Sequence, residues 1–226
     1  MDKSVFLREI YSFIEKSKAL ELIENELTCE NIFENSNSYT PEKIILDKIF
    51  STEFKNSKDQ GDTLEALVKS LFGRIVLIHN VQITNKDTAL GQIDILLVPL
   101  RDNIYDVWGL TTEKPKGMIG ECKNYSQKKV DRPEIEKTCW RACKGGCLSF
   151  FIGFGYTDDA VQEISEFNLG KEFLCTNHKG AYIVPLTLYM LQEIIENNIN
   201  FCYFIKWAIN TSRMITAIAN YLQKLE

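Results

Sequence analysis

The sequence of 226 residues lacks several features that common protein classes require. No apolar run reaches the roughly 18 residues of a membrane span, and residues 1–20 lack the apolar segment of a secretory leader. There is no basic excess either, since 26 Lys and Arg stand against 31 Asp and Glu, giving a net charge of −5. This acidic balance argues against a protein that coats nucleic acid with basic side chains, although metal-binding carboxylates would themselves add acidity.

Zinc-binding patterns are also missing. The chain has two histidines, His79 and His178, and neither matches a ligand pattern. Cys139, Cys143 and Cys147 are spaced by four, without the paired Cys-x-x-Cys spacing of zinc sites, and two glycines break the predicted helix before the last of them. Seven cysteines without a secretory leader therefore predict free thiols in a reducing cytoplasm.

Two kinds of apolar pattern alternate along the chain. Helical periodicity predicts helices at 5–24, 41–55, 61–73 (with Asp62 as N-cap and a polar connector at 56–61) and in segments starting at 131, 157, 186 and 201. β-branched and aromatic runs predict strands at 75–83, 91–98, 118–125, 147–154 and 181–184, with a shorter one around 104–110. This order predicts an α/β protein with a mixed β-sheet flanked by helices.

Two of the predicted strands carry the polar residues of interest. Asp94 stands alone among apolar neighbours, while Glu121 and Lys123 project from one face of their strand because side chains alternate. A carboxylate in such a run is costly to bury without compensation, and Mg²⁺ prefers oxygen ligands. The pattern predicts a cation held by Asp94, Glu121 and the backbone carbonyl of Cys122, with Lys123 beside it to orient water and stabilise charge.

Each of these residues has a structural alternative. Asp94, Glu121 and Lys123 could form an ion-paired trio on a sheet face. Glu65 fits a capping box with Asp62 at the start of a helix.

The order of these motifs resembles a known family. Asp94 followed by Glu-x-Lys at 121–123 is similar to the pattern of the PD-(D/E)xK nuclease superfamily. The closer likeness is to the Mrr-type restriction endonuclease domain, in which 61–67 resembles the opening helix, 91–94 the Asp strand, 121–125 the Glu-x-Lys strand, and 132–135 and 150–160 the later elements. This likeness implies a restriction-endonuclease-like domain at 61–197, between an N-terminal helical segment (1–60) and a C-terminal helix (198–226).

The resemblance implies a Mg²⁺-dependent endonuclease, with Mn²⁺ able to substitute, that hydrolyses DNA phosphodiester bonds in restriction or defence. Asp94, Glu121, Lys123 and Glu65 would be its catalytic residues. Some members of this family carry a Gln on the helix that follows the Glu-x-Lys strand. This sequence has no clear counterpart of that Gln, and Lys137 or Arg141 could take its role. Two alternatives stay open: an inactive nuclease fold that binds nucleic acid or a partner protein, and an RNA- or junction-directed nuclease.

Basic residues cluster after the Glu-x-Lys motif. The candidates for nucleic-acid binding are Lys128, Lys129, Arg132, Lys137 and Arg141, and the alternative is an ordinary solvated helix face. The expected partner is DNA, and no membrane association is expected. The apolar last helix either packs on residues 1–56 or joins in a homodimer or partner-protein contact.

Overall fold

Helices and strands alternate through most of the computed structural model, which describes residues 2–24, 27–34, 38–88, 91–111, 114–124, 128–170, 180–212 and 221–222. The elements are, in chain order, α1 (Lys3–Glu24), α2 (Thr40–Ser51), α3 (Ser57–Gly73), β1 (Ile78–Thr88), β2 (Gly91–Pro99), α4 (Asn103–Val107), β3 (Gly117–Lys123), α5 (Arg132–Gly145), β4 (Cys147–Gly153), α6 (Asp158–Asn168), β5 (Tyr182–Thr187), α7 (Leu188–Glu196) and α8 (Phe201–Ser212). None of the helices in these ranges combines the length and apolarity needed to cross a membrane.

The five strands form one mixed sheet in the order β1-β2-β3-β4-β5. β1, β2 and β3 pair antiparallel, whereas β3, β4 and β5 pair parallel. All seven residues of β4 are buried, as expected of a central parallel strand covered on both faces. The prediction of an α/β protein with a mixed sheet flanked by helices is therefore confirmed.

The terminal helices α1 and α8 pack against each other, and α8 also packs against β5. Phe6 of α1 meets Trp207 of α8 edge to face, with ring centroids 5.5 Å apart. Nearby, the Tyr203 hydroxyl donates a hydrogen bond of 2.8 Å to Glu21, and Lys206 forms an ion pair of 2.7 Å with the same carboxylate. The sequence left open whether the last helix packs on residues 1–56 or contacts a partner. These contacts show packing on the N-terminal segment.

Two element predictions are wrong. α3 begins at Ser57 with Asn56 as its N-cap, whose side chain accepts from the Asp59 N–H, so the predicted connector is helical. Asp62 and Glu65 consequently lie inside the helix, which removes the capping-box interpretation. The segment predicted as a short strand near 104–110 contains α4, because its apolar residues also fit helical spacing.

The free-thiol prediction holds for most of the cysteines in the described ranges, outside which Cys175 lies. Cys29, Cys122, Cys139, Cys147 and Cys202 are free thiols. Cys143, only partly buried on α5, is disulfide-bonded, so the prediction of a free thiol is wrong for this residue. Spacing along the chain excluded a zinc cluster but gave no information on which cysteines meet in space.

Gly153 is required where β4 lies beside Lys123. The two residues are partners in the parallel register, and a Cβ on Gly153 would lie 2.7 Å from Cγ2 of Val130. We therefore expect Gly153→Ala to lower the free energy of unfolding by about 1–3 kcal/mol in urea titrations, because this segment is already closely packed. Gly155→Ala is the matched control, since its Cβ would meet Lys129 at an ordinary 3.8 Å. Equal losses in both variants would contradict this explanation.

Candidate active site

The two predicted carboxylates lie at one end of the β2–β3 pair. The antiparallel register pairs Ile95 with Gly120, the residues that follow Asp94 and precede Glu121, and the charge of Asp94 acts on Glu121. There the Asp94 carboxylate accepts a hydrogen bond of 2.8 Å from the backbone N–H of Cys122. The sheet therefore brings together two acidic residues that are 27 positions apart in the sequence.

Glu121 is an ionisable group held in an unfavourable environment. Its side chain is only 3% exposed, and it forms an ion pair with Arg141 of α5. Burial and the neighbouring charge of Asp94 raise the pKa of Glu121 to about 7, although Arg141 and Lys123 act in the opposite direction. Two carboxylates this close favour a cation, since like charges otherwise disfavour ionisation of both.

Glu65 approaches the same region from α3. Its side chain is buried, and its charge acts on the Cys122 thiol together with the charges of Asp94 and Glu121. Burial raises the pKa of that thiol well above its usual range, and the three carboxylates add to the effect. The predicted residues Glu65, Asp94 and Glu121 thus all act electrostatically on Cys122.

Side-chain metal ligands are few at this site. Within the ranges that the structure describes, no three His, Cys, Asp or Glu side chains form a group that could hold a metal ion. Glu65 therefore does not complete a three-carboxylate set with Asp94 and Glu121. The donor set that fits a hard cation here is two carboxylates and a backbone carbonyl, with water or substrate supplying the rest.

The Cys122 carbonyl is suitably placed to be the third oxygen. The backbone N–H of Cys122 donates its hydrogen bond to Asp94, so it points towards the β2 side of β3. In an antiparallel pair the N–H and C=O of one residue point towards the same neighbouring strand. The carbonyl of Cys122 therefore faces the side on which Asp94 lies.

Lys123 borders an open cleft of about 380 Å³ next to these carboxylates. The cleft is lined by Ser57, Gln60, Gly61, Cys122, Lys123, Asn124 and Lys128. Two lysines and no carboxylate from the described part of the chain face it. The first turns of α3 form one wall, where the helix dipole is positive. This cleft suits an anionic ligand.

Asn124 fixes the wall between α3 and the end of β3. Its Nδ2 donates a hydrogen bond of 2.7 Å to the backbone carbonyl of Gln60. Its Oδ1 is buried and has no hydrogen-bond partner among the residues described. Sequence reasoning did not assign Asn124, because its function depends on the distant Gln60, which no local pattern indicates.

The predicted nucleic-acid-binding residues fall into two groups. Lys128, Lys129 and Lys137 are exposed. Arg132 instead pairs with Glu136 and with buried Glu163, both at 2.8 Å. Arg141 pairs with Glu121 and is only 18% exposed.

Arg141 is the largest difference between the sequence-derived and the observed site. The sequence left it open between DNA binding and the role of a Gln found in some relatives. The structure places it on the Glu121 carboxylate, so the ion pair of Glu121 is made with Arg141 and not with Lys123. The spacing of 20 residues between Arg141 and Glu121 has no local signal, because it depends on how α5 packs on the sheet.

The chain has no match among family models, curated proteins or solved structures. The fold and the site together define an α/β protein with a five-stranded mixed sheet and an acidic cluster beside a lysine-bordered cleft.

Proposed function

We propose that this protein is a metal-dependent endonuclease with a restriction-endonuclease-like fold that hydrolyses DNA phosphodiester bonds. The observation that carries the proposal is that Asp94 and Glu121 interact electrostatically next to Lys123, which borders a cleft whose described lining contains no carboxylate. An acidic pair suits a divalent cation, and the adjacent basic cleft suits a phosphate. A site that combines both suits phosphodiester hydrolysis.

Mg²⁺ or Mn²⁺ fits the donor set formed by Asp94, Glu121 and the Cys122 carbonyl. When bound, such an ion would lower the pKa of a water molecule and offset negative charge on the phosphate. The raised pKa of Glu121 supports this assignment, because a nearby cation would stabilise its charged form. Arg141 partly fulfils that electrostatic role in the protein alone.

The other residues act on the water and the phosphate. The Lys123 ammonium, on the same strand face as Glu121, donates hydrogen bonds to the attacking water and to the phosphate oxygens. Water would attack phosphorus in line: its oxygen forms a new P–O bond and gives up a proton to solvent, while the P–O bond to the leaving sugar oxygen breaks and that oxygen takes a proton from solvent. The N–H of Cys122 orients the Asp94 carboxylate through a hydrogen bond. Glu65 does not contact the phosphate but contributes its negative charge to the site, where it acts on Cys122.

A role in restriction or defence is the part of the proposal that rests on the resemblance of the motifs alone. An RNA- or junction-directed nuclease would use the same site, because its scissile bond is chemically similar. An inactive fold that only binds a partner is less well supported, since Asp94, Glu121 and Lys123 are all present and close together.

The proposal is tested by incubating the purified protein with plasmid, linear duplex, single-stranded DNA and RNA in Mg²⁺, Mn²⁺ or EDTA. We expect DNA cleavage with either metal and none in EDTA. Cleavage of RNA alone would move the function to the RNA-directed alternative. Binding without cleavage in any metal would favour the inactive fold.

A further inference from the structure

Trp140 on α5 is the most exposed aromatic side chain in the described part of the chain. It is 56% exposed, whereas Trp108 and Trp207 are 0% and 5% exposed. A large apolar ring left in water gives up the free energy that burial would provide. An exposed indole on the helix that supplies Arg141 to the candidate site is therefore a candidate contact for a ligand.

Basic side chains surround this ring and connect it to the site. Lys137 lies three residues before Trp140 and Lys144 four residues after it, so both are its neighbours on the helix surface. The Lys144 Nζ is 4.7 Å from the centroid of the indole. Arg141 lies four residues after Lys137 and reaches Glu121. We call Lys137, Trp140, Arg141 and Lys144 the α5 stripe.

The charge of the α5 stripe indicates the chemistry of its ligand. It contains two lysines and no carboxylate, while its arginine, Arg141, is already paired with Glu121. Glu136, one turn before Trp140, is already paired with Arg132 at 2.8 Å. Positive side chains around an exposed aromatic face suit a polyanion that carries flat rings, because the cations can meet phosphates while the rings stack.

We propose that the α5 stripe binds a single-stranded segment of DNA, with one unpaired base stacked on Trp140. This inference rests on the proposed function and specifies its substrate as DNA with unpaired nucleotides. Phosphates of the strand lie along Lys137 and Lys144, which directs the chain towards Glu121. A duplex cannot use the indole in this way, since its base faces are already stacked on each other.

The test is binding in EDTA, where no cleavage occurs. A fluorescently labelled thymidine oligonucleotide, the same length of duplex and a uridine oligonucleotide are titrated by anisotropy. Trp140→Ala is expected to weaken thymidine binding about tenfold. Trp140→Phe should retain most of the affinity, because it keeps an aromatic face. Tyr11→Ala is the control, since Tyr11 is an exposed aromatic on α1 and should leave the affinity unchanged.

The outcomes separate this inference from the proposed function. Unchanged thymidine binding by Trp140→Ala, or an equal loss of duplex binding, would overturn the stacking contact even if the protein cuts DNA. The stacking contact would also be overturned if the wild type sediments as a dimer and Trp140→Ala as a monomer while thymidine binding is unchanged. Trp140-dependent binding by a protein that never cleaves would support the contact and overturn the nuclease. Tighter uridine binding with the same Trp140 dependence would support stacking with RNA as the strand.

Discussion

Lys123→Ala is expected to lower the rate of metal-dependent DNA cleavage by about 100- to 1,000-fold, the effect typical of losing one positioned donor to a transition state. Lys123 borders the cleft and acts electrostatically on Glu121, and in the proposed mechanism its ammonium would stabilise the charge that develops on the phosphate. The rate is measured in single-turnover cleavage of plasmid DNA with Mg²⁺. Thermal unfolding of the variant should match that of the wild type.

The matched control is Lys69→Ala, which removes an exposed lysine from α3, outside the cleft. It should cleave at the wild-type rate. If Lys123→Ala also cleaves at that rate, Lys123 has no part in catalysis and the assigned site is wrong.

Glu121→Gln is expected to abolish cleavage and yet to stabilise the metal-free protein. Burial and the Asp94 charge hold the pKa of Glu121 near 7, against 4.5 for an ordinary glutamate. Between these values the folded protein keeps a proton that the unfolded chain has released. Stability is therefore lost as pH rises from about 4.5 to about 7, by an amount on the order of 3 kcal/mol. Gln removes this penalty because it carries no charge.

The measurement is urea unfolding of wild type and Glu121→Gln in EDTA at several pH values. At pH 8 we expect the variant to be more stable by about 2–3 kcal/mol, with the difference shrinking towards pH 5. Added Mg²⁺ should stabilise the wild type more than the variant, because only the wild type has both carboxylate ligands. A variant less stable than the wild type at pH 8 in EDTA would contradict the electrostatic account of the site.

Glu42→Gln is the control, for which we expect a change in stability of the opposite sign. Glu42 is also buried, which alone would raise its pKa, but hydrogen bonds from Arg74 and Ser70 outweigh burial and hold the pKa below its ordinary value. Its charged form therefore stabilises the fold above the unfolded pKa, and this contribution is lost as pH falls. Glu42→Gln should be less stable than the wild type at pH 8.

The strands were largely predictable because their patterns are local. The run from 147 to 154 is almost wholly apolar, and β4 is the fully buried strand that such a run predicts. Alternation on β3 placed Glu121 and Lys123 on one face, and the pairing of Ile95 with Gly120 accounts for the proximity of Asp94 to the end of β3. The local pattern was less informative where both strand and helix spacing fit the same apolar residues. In α4 such residues had predicted a short strand.

The contacts that tune the site were not predictable, because they join distant parts of the chain. The ion pair between Arg141 and Glu121 depends on the packing of α5 against the sheet. The bond from Asn124 to Gln60 depends on the start of α3, which the sequence interpretation placed too late. The sequence thus indicated the candidate residues, but not which neighbours set the pKa of Glu121.

Calorimetric titration of Mn²⁺ into the wild type and Asp94→Asn tests most directly whether the carboxylates of Asp94 and Glu121 share one divalent cation. We predict one binding site in the wild type, an affinity at least about tenfold lower in Asp94→Asn, and no change in Asp47→Asn, which alters an exposed carboxylate on α2. No Mn²⁺ binding by the wild type, or equal affinity in Asp94→Asn, would contradict the proposed metal site.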